Sequence, residues 1–528
     1  MVTALNSNIR AAVVIPPVCD FYFTPHRFSS LGPKILCNLL SNNGIKPSLH
    51  IFPLTKSKSK VIDIAQEISY LTDHIIPQET GKLSYFTQYQ RFGPSVEECA
   101  AIISDESPDI CFISSFAFSY SYEALNLAKQ IKKLSPSLPI VMGGGGPSAY
   151  PIYFIKDTNI DFVLVGEAEV SIKLFIDAFI FKTIGYADVP NLFWRNEGKI
   201  IANCPKVFSK SEDIEFVISK TYETKKTIFF STSLTRGCTK TCRFCSNFLT
   251  HGNIFRTIPL DKVNSVISSF SSIENGQNKQ ISINFEDDNL LLDTNYFLKV
   301  LKSFKETIPK ISFFAENGLD YSLLTPALVD ELVDLGLEKF NLSIASIDSE
   351  ILETEKRPLL LEHYKEIVGK IANRNIPCIT YFICGFKNDT KAIIARTLAF
   401  LADQPVTVGI SLFYPVPGIH GFENLELFDA IPPYCCNSSS AYPWNQSLST
   451  SILITAFRLS RYVNLIKQKV KSDLELKIVK VIQEKRKLFT FVKTNKSVEI
   501  ILVMNSDKEL VDEFFRVLES PEFSGLKE

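Results

Sequence analysis

Apolar residues fall along this chain in two rhythms. Some form short continuous runs closed by Gly or Pro, the signature of a buried strand. Others recur every three or four positions, the signature of one helix face. Over the first 190 residues the two alternate. RAAVVIPP near residue 10 is a strand, GPKILCNLLSNNG (32–44) a helix with a Gly stop, and KPSLHIFPL a second strand. Polar helical stretches are expected around 58–75 and 94–105. DICFISSFAF (109–118) is a buried strand, YEALNLAKQIKKLSP (122–136) an amphipathic helix, and LPIVMGGGG (138–146) a strand entering a glycine loop. IDFVLVGEAEVSIKLFIDAF reads as strand, turn and helix. Strands that alternate with helices predict a doubly wound parallel sheet, with ligands at the carboxyl ends of its strands.

The rhythm breaks over residues 191–224, where NLFWRNEGKII reads as a hairpin and the remainder as a linker. A second alternation follows. Its strand candidates are TIFFSTSL, QISINFE, ISFFAE, KFNLSIA, PCITYFICGF and TVGISLFY, separated by five helical stretches. Six such units, short of the eight that close a full barrel, predict an open partial (βα)6 barrel with its chemistry at the strand carboxyl ends. Residues 426–528 change character again. A loop-like start leads into helical stretches (SILITAFRLSRYVNLIKQKV, LELKIVKVIQEKRK), then a strand pair (LFTFVKTN, SVEIILVMN) and a closing helix. The expected division is 1–190, 191–224, 225–425 and 426–528, an α/β chain with an α+β C-terminal region.

Composition narrows the classes. The chain has 528 residues, 45% hydrophobic and 21% charged, which fits several globular domains and excludes a disordered or coiled-coil protein. Lys+Arg (56) and Asp+Glu (57) cancel to a net charge of −1, so no field draws nucleic acid or an anionic membrane surface. Forty-one Phe against three Met points to cores built on aromatic rings. Apolar runs stay far short of the ~20 residues a membrane helix needs, and no basic, then apolar, leader opens the chain. The expected location is therefore the cytoplasm, where most of the twelve cysteines should be reduced, small, buried hydrophobes.

Three cysteines depart from that pattern. Cys238, Cys242 and Cys245 stand in a Cys-x3-Cys-x2-Cys spacing directly after the first strand of the second alternation. Thiolates so clustered suit zinc or an iron–sulfur cluster. A structural zinc wants a fourth ligand, and the nearest candidate, His251, lies six residues past Cys245. A 4Fe–4S cluster held by three thiolates leaves one iron open.

In spacing and position this segment resembles the signature of the radical S-adenosylmethionine (SAM) superfamily, and Phe244 before the last cysteine fits too. The resemblance implies that the open iron chelates SAM, which is cleaved reductively to a 5′-deoxyadenosyl radical with an electron from an external flavodoxin- or ferredoxin-like donor. It also implies SAM contacts downstream. FEDDN (285–289) stands where the family often carries Gly-Gly-Glu; the glycines are missing, but Glu286, Asp287 and Asp288 offer acceptors for the SAM ammonium. Ser343, followed by Ser346 and Arg357, stands at the ribose and carboxylate positions. Gly385 occupies the fifth-strand glycine motif. Tyr381, Tyr414 and His420 are candidates for the barrel mouth.

The N-terminal region resembles the flavodoxin-like cobalamin-binding domain fused to many radical SAM enzymes. Ser114–Ser115 at the end of the third main strand, and Gly143, Gly144 and the two glycines after them, carry that likeness. Gly166, Glu167 and Glu169 match the strand-plus-Gly-Glu element. In this family, small residues and bare backbone admit the nucleotide tail of cobalamin. Asp20 and His26 are wrongly spaced for the Asp-x-His-x-x-Gly motif, so no histidine is expected on cobalt. A flavodoxin-like module without cofactor is the alternative.

Together the two likenesses imply a cobalamin-dependent radical SAM enzyme, in which one SAM methylates cobalamin and a second generates the radical that lets an unreactive substrate carbon accept the methyl. Non-methylating radical chemistry (ring closure, contraction or rearrangement) and a cofactor-based sensor are the alternatives. The substrate, a small molecule or peptide, has no motif, and no nucleic-acid or membrane partner is expected.

Overall fold

The computed structural model describes residues 9–22, 30–55, 58–75, 88–274, 279–472, 477–484, 487–493, 498–503 and 507–520. His26 lies outside them. They form two compact units. The first is drawn from residues 1–62, 90–316 and 415–434, the second from 63–89, 317–414 and 435–528.

The first unit begins with the expected parallel sheet. Its five parallel strands lie in the order Lys46–Ile51, Arg10–Ile15, Ile110–Ser114, Ile140–Gly143, Phe162–Leu164. In chain order that is 2-1-3-4-5, so the winding reverses between Arg10–Ile15 and Ile110–Ser114. Ligands of such sheets bind in the crevice at that switch point. Ala11–Ile15 are all 1% exposed or less, because both sheet faces are covered. The hairpin Leu192–Asn196/Lys199–Ala202 extends the sheet antiparallel from Phe162–Leu164. Glu197 (φ 48°) and Gly198 (φ 79°) turn it, both left-handed, as the twist of a two-residue hairpin demands. The start of the expected linker is therefore part of this sheet.

Helices Leu31–Asn42 and Ala168–Ile176 pack beside each other over one sheet face. The core under them is aromatic, as the Phe count suggested. Phe175 meets Phe112 and Phe162 edge-on, at 6.3 and 5.2 Å between ring centroids, and stacks on Phe179 at 5.6 Å.

The same unit carries a second sheet, ordered Ser219–Glu223, Thr227–Thr232, Gln280–Phe285, Ile311–Phe314. The last three strands are parallel. Helices Leu260–Glu274 and Thr294–Thr307 connect them, and Phe285 packs on Phe297 and Phe313. The edge strand Ser219–Glu223 is the second departure from the expected linker.

The second unit holds the other half of the alternation as the parallel sheet Phe340–Ala345, Cys378–Cys384, Thr407–Leu412. Helices Pro326–Leu335, Leu361–Asn373 and Lys391–Asp403 accompany it, the first and last capped by the Thr325 and Thr390 side chains. All six strands and five helices of the second alternation are thus present, three strands in each unit. Gly409 is glycine because the Tyr381 ring lies flat against it and would collide with any Cβ.

Two expectations fail. Residues 58–75 contain a two-residue strand (Lys60–Val61) and 3-10 turns (Gln66–His74) broken at Ile68, not the expected polar helical stretch. LELKIVKVIQEKRK forms the strand Lys477–Glu484, paired with Lys487–Lys493 and through it with Val498–Val503. Its four β-branched residues in five positions, Ile478 to Ile482, favour a strand, and helical spacing in so short a run cannot outweigh them. The helices Thr450–Ser472 and Lys508–Leu518 are as expected. Among the described residues no helix is long and apolar enough to cross a membrane.

Phe175→Ala should destabilise the N-terminal sheet by about 3–5 kcal/mol, since a fully buried ring leaves a cavity its neighbours cannot fill. The shift in urea midpoint, followed by near-UV circular dichroism, measures it.

Candidate active site

The strand Thr227–Thr232 delivers the chain to a closed excursion. Thr235–Arg236 pairs antiparallel with Arg256–Thr257, so residues 237–255 leave and return at one point. Gly237 (φ 78°) opens the excursion, and a Cβ there would strike the Ile254 carbonyl. The acidic end of the next strand braces its root. Asp287 Oδ1 accepts from Leu234 N (2.8 Å), Thr235 N (2.6 Å) and Thr235 Oγ1 (2.6 Å). Burial pushes the Asp287 carboxyl up to about 6 against these bonds. Asp288 Oδ2 accepts from Gly237 N at 2.8 Å.

The excursion carries the three cysteines, all free thiols: Cys242 buried, Cys238 and Cys245 half-buried. Cys245 N donates to the Cys242 carbonyl at 3.1 Å, and Asn289 Nδ2 donates to Cys238 Sγ at 3.8 Å. Burial pushes the Cys245 thiol up to about 11, and Cys242, Asp288 and Cys238 lie close enough to add to the rise. Among the described residues, no three His, Cys, Asp or Glu side chains converge to hold a single metal ion. Phe244 is half-buried between Cys242 and Cys245.

Beside this loop, inside the first unit, lies a cavity of about 350 Å³. One wall is the carboxyl end of the N-terminal sheet at its switch point: Ile15, Ser114, Gly143, Gly144 and Gly166. The other is the root of the cysteine excursion: Ser233, Thr235, Arg236, His251, Glu286 and Asp288. Ser115 stands behind the first wall, with Oγ donating to the Ala117 carbonyl at 3.2 Å. The glycine run has an internal reason. A Cβ on Gly144 would lie 2.7 Å from the Ser115 carbonyl oxygen, and one on Gly145 2.6 Å from that of Phe116. Those two glycines let two loops of this chain touch. Gly143 alone has ordinary space, its Cβ position 3.6 Å from the nearest atom.

The two walls are joined by a buried ionic cluster centred on Glu167, which is 4% exposed. Arg256 donates Nη1 to Oε2 and Nη2 to Oε1, both at 2.9 Å. His251 Nδ1 lies 2.9 Å from Oε1, and Ser209 N donates to Oε2 at 2.7 Å. Burial works to raise the Glu167 carboxyl, yet His251, Arg256 and Ser209 hold it down at about 2. Arg256 also donates to the Ser209 and His251 carbonyls, at 2.5 and 2.6 Å. Lys206 Nζ adds a second tie, donating to the carbonyls of Ser148 (3.2 Å), behind the glycine loop, and Leu249 (2.6 Å), beyond the cysteines. The expected linker is therefore a strap that fastens one wall to the other.

The structure therefore gathers Ser115, Gly143, Gly144, Gly166, Glu167, Phe244, Glu286, Asp287 and the three cysteines in the first unit. Glu169 lines the cavity, whereas Asp20 is buried at 5% exposure and accepts from Tyr120 at 2.7 Å. His420 stacks on Phe248, just past the cysteines, at 6.1 Å between ring centroids. Ser343, Ser346, Arg357, Gly385, Tyr381 and Tyr414 belong to the second unit. There Arg357 Nη2 lies 3.7 Å from Asp320 Oδ1, and Ser346 Oγ accepts from Asp348 N at 3.2 Å. Gly385 (φ 110°) donates its N–H to Asp389 Oδ2 at 2.7 Å, and burial pushes that carboxyl up to about 7. Arg256, Lys206, Ser209 and Asp389 were not legible as site residues. None belongs to a spacing motif, and the first three reach Glu167 or Ser148 only through the fold.

Residues 232–401 match the model of the Radical SAM superfamily. The chain is 25% identical over 217 residues to the bacteriochlorophyllide d C-12(1)-methyltransferase of Chlorobaculum tepidum, a match covering 40% of this chain and 46% of that enzyme. The fold is similar to that of the radical SAM methyltransferase TsrM from Kitasatospora setae, solved with tryptophan and a SAM analogue (TM-score 0.57, 14% identity, 77% of this chain and 73% of that one). It is also similar to the cobalamin-dependent SAM radical enzyme OxsB, solved with aqua-cobalamin and SAM (TM-score 0.54, 14% identity, 91% of this chain and 63% of that one).

The Glu167 cluster makes a prediction about acid stability. Its carboxyl ordinarily titrates near 4.5 and here at about 2. A depressed carboxyl gives its full stabilisation above pH 4.5 and loses it as pH falls toward 2, a contribution of order 3 kcal/mol. Glu167→Gln should lower stability at pH 7 by about 3–5 kcal/mol, by leaving Arg256 buried without its counter-charge. It should also flatten the fall of the urea midpoint between pH 4.5 and 2. An unchanged pH profile would show that the carboxylate carries none of this load.

Proposed function

We propose that this chain is a cobalamin-dependent radical SAM enzyme that methylates an unreactive carbon of its substrate. The observation that carries the reading is the cavity between the glycine-loop wall and the root of the cysteine excursion. It sits at the switch point of a 2-1-3-4-5 sheet, where such sheets bind cofactors, and its opposite wall is two residues from Cys238.

The residues present fit the cofactors. Three reduced thiols on one loop, close enough to influence one another but not converged on one ion, suit a 4Fe–4S cluster, where each sulfur takes a different iron. Cys238, Cys242 and Cys245 would hold it. Ser114, Gly143, Gly144 and Gly166 give the cavity a wall of small residues and backbone suited to cobalamin. When bound, the cluster and SAM supply a 5′-deoxyadenosyl radical, and cobalamin supplies the methyl group.

The chain's own residues hold this arrangement. Asn289 directs an N–H at Cys238 Sγ, which steadies a thiolate there. Asp287 fixes the loop root through Oδ1 and does not line the cavity, whereas Glu286 and Asp288 do and are the better placed acceptors for the SAM ammonium. Within the second unit, Asp389 fixes the Gly385 backbone. An external flavodoxin- or ferredoxin-like protein supplies the electron.

The test is anaerobic reconstitution of the full chain with iron, sulfide, hydroxocobalamin and SAM under reductant. 5′-Deoxyadenosine and S-adenosylhomocysteine should both form. 5′-Deoxyadenosine alone would point to radical chemistry without methyl transfer, and neither product, with the cluster present, would contradict the reading. Cys242→Ala should lose 5′-deoxyadenosine formation at least a hundredfold.

A further inference from the structure

Arg236 is paired in register with Arg256, and each is 8% exposed. Two buried guanidinium groups placed opposite one another repel, and each needs a counter-charge or a full set of acceptors. Arg256 has both, through Glu167 and the carbonyls of Ser209 and His251. Arg236 has neither. Its Nη1 donates to Ser233 Oγ at 2.6 Å and to the Thr235 carbonyl at 3.1 Å. Among the described residues no carboxylate forms an ion pair with it, and its Nε and Nη2 make no hydrogen bond. Asp287 does not take them up: its Oδ2 is buried with no donor. Arg236 lines the cavity.

The Nε and Nη2 of Arg236 are therefore left for a ligand in the cavity that it lines. The character of that ligand follows from the rest of the wall. Glu286 and Asp288 line the same cavity, so a purely anionic ligand would meet repulsion opposite Arg236. A neutral ligand edged with carboxamides avoids that repulsion and gives carbonyl oxygens to the guanidinium. A corrinoid is such a ligand.

We infer that Arg236 is the residue by which this cavity grips the corrinoid, with Nε and Nη2 donating to carboxamide oxygens at the ring edge. The assignment rests on the cobalamin reading proposed for this chain. Arginine suits the task because its fork presents two donors in a fixed geometry that lysine cannot match.

The test is equilibrium dialysis of hydroxocobalamin against the anaerobically reconstituted full chain, with iron content and SAM affinity measured on the same samples. Loss of two charge-assisted bonds should weaken cobalamin binding at least tenfold in Arg236→Gln, with iron and SAM affinity unchanged. Arg236→Lys, which keeps the charge but loses the fork, should fall in between. It carries the test if the glutamine variant fails to take up iron. Cobalamin affinity within twofold of wild type in the glutamine variant, or in the lysine variant where that one carries the test, overturns the assignment. So does loss of SAM affinity with cobalamin affinity intact. A wild-type chain that binds no hydroxocobalamin overturns the cobalamin reading itself, and this assignment with it.

Discussion

The architecture of the first unit depends on one buried carboxylate. Glu167 sits at the turn after Phe162–Leu164 and takes Arg256, His251 and the Ser209 amide at once. Those partners come from the far end of the cysteine excursion and from the strap between the two sheets. A buried ion pair is weak evidence of net stability, but breaking one is costly, because a charge is left without water or partner. The cluster therefore acts as a constraint on geometry. It fixes the glycine loop against the cysteine loop with little freedom for either to drift.

Backbone contact reinforces that constraint. Gly144 and Gly145 bring their loop onto the Ser115 and Phe116 carbonyls, and Gly237 brings the start of the excursion onto Ile254. Small residues here serve close approach of the chain to itself. The cavity is what remains between two walls fixed in this way, and its polarity is uneven by construction. Arg256 is neutralised within the wall, whereas Arg236 faces the cavity with donors to spare. A ligand-binding space with rigid walls and a pre-placed donor set loses little entropy when it fills.

Much of this was legible in the sequence. The strand and helix rhythms located all the main strands of both alternations, because a strand covered on both faces is written as an unbroken apolar run. The cysteine spacing and the Gly166–Glu167 element marked both walls. The reading failed where periodicity is short or ambiguous, as at 58–75 and at Lys477–Glu484, where β-branched residues outweighed a helical spacing. It also failed for the strap. Lys206 and Ser209 stand in a segment without pattern, and their role comes from backbone and single side-chain contacts that no local rhythm encodes. Asp287 shows a subtler limit. Its motif pointed to a ligand, and the fold spends one of its oxygens on the loop root.

The glycine-loop wall and the cysteine loop border one shared space, so the two cofactors proposed for them must be near neighbours. Pulsed electron paramagnetic resonance of the fully loaded, reduced chain measures this directly through the magnetic interaction between cob(II)alamin and the reduced cluster. The account predicts a resolved spin–spin interaction in the wild type, weakened when the Glu167 cluster is broken. Two fully occupied centres whose spectra merely superpose, with no interaction between them, would contradict it.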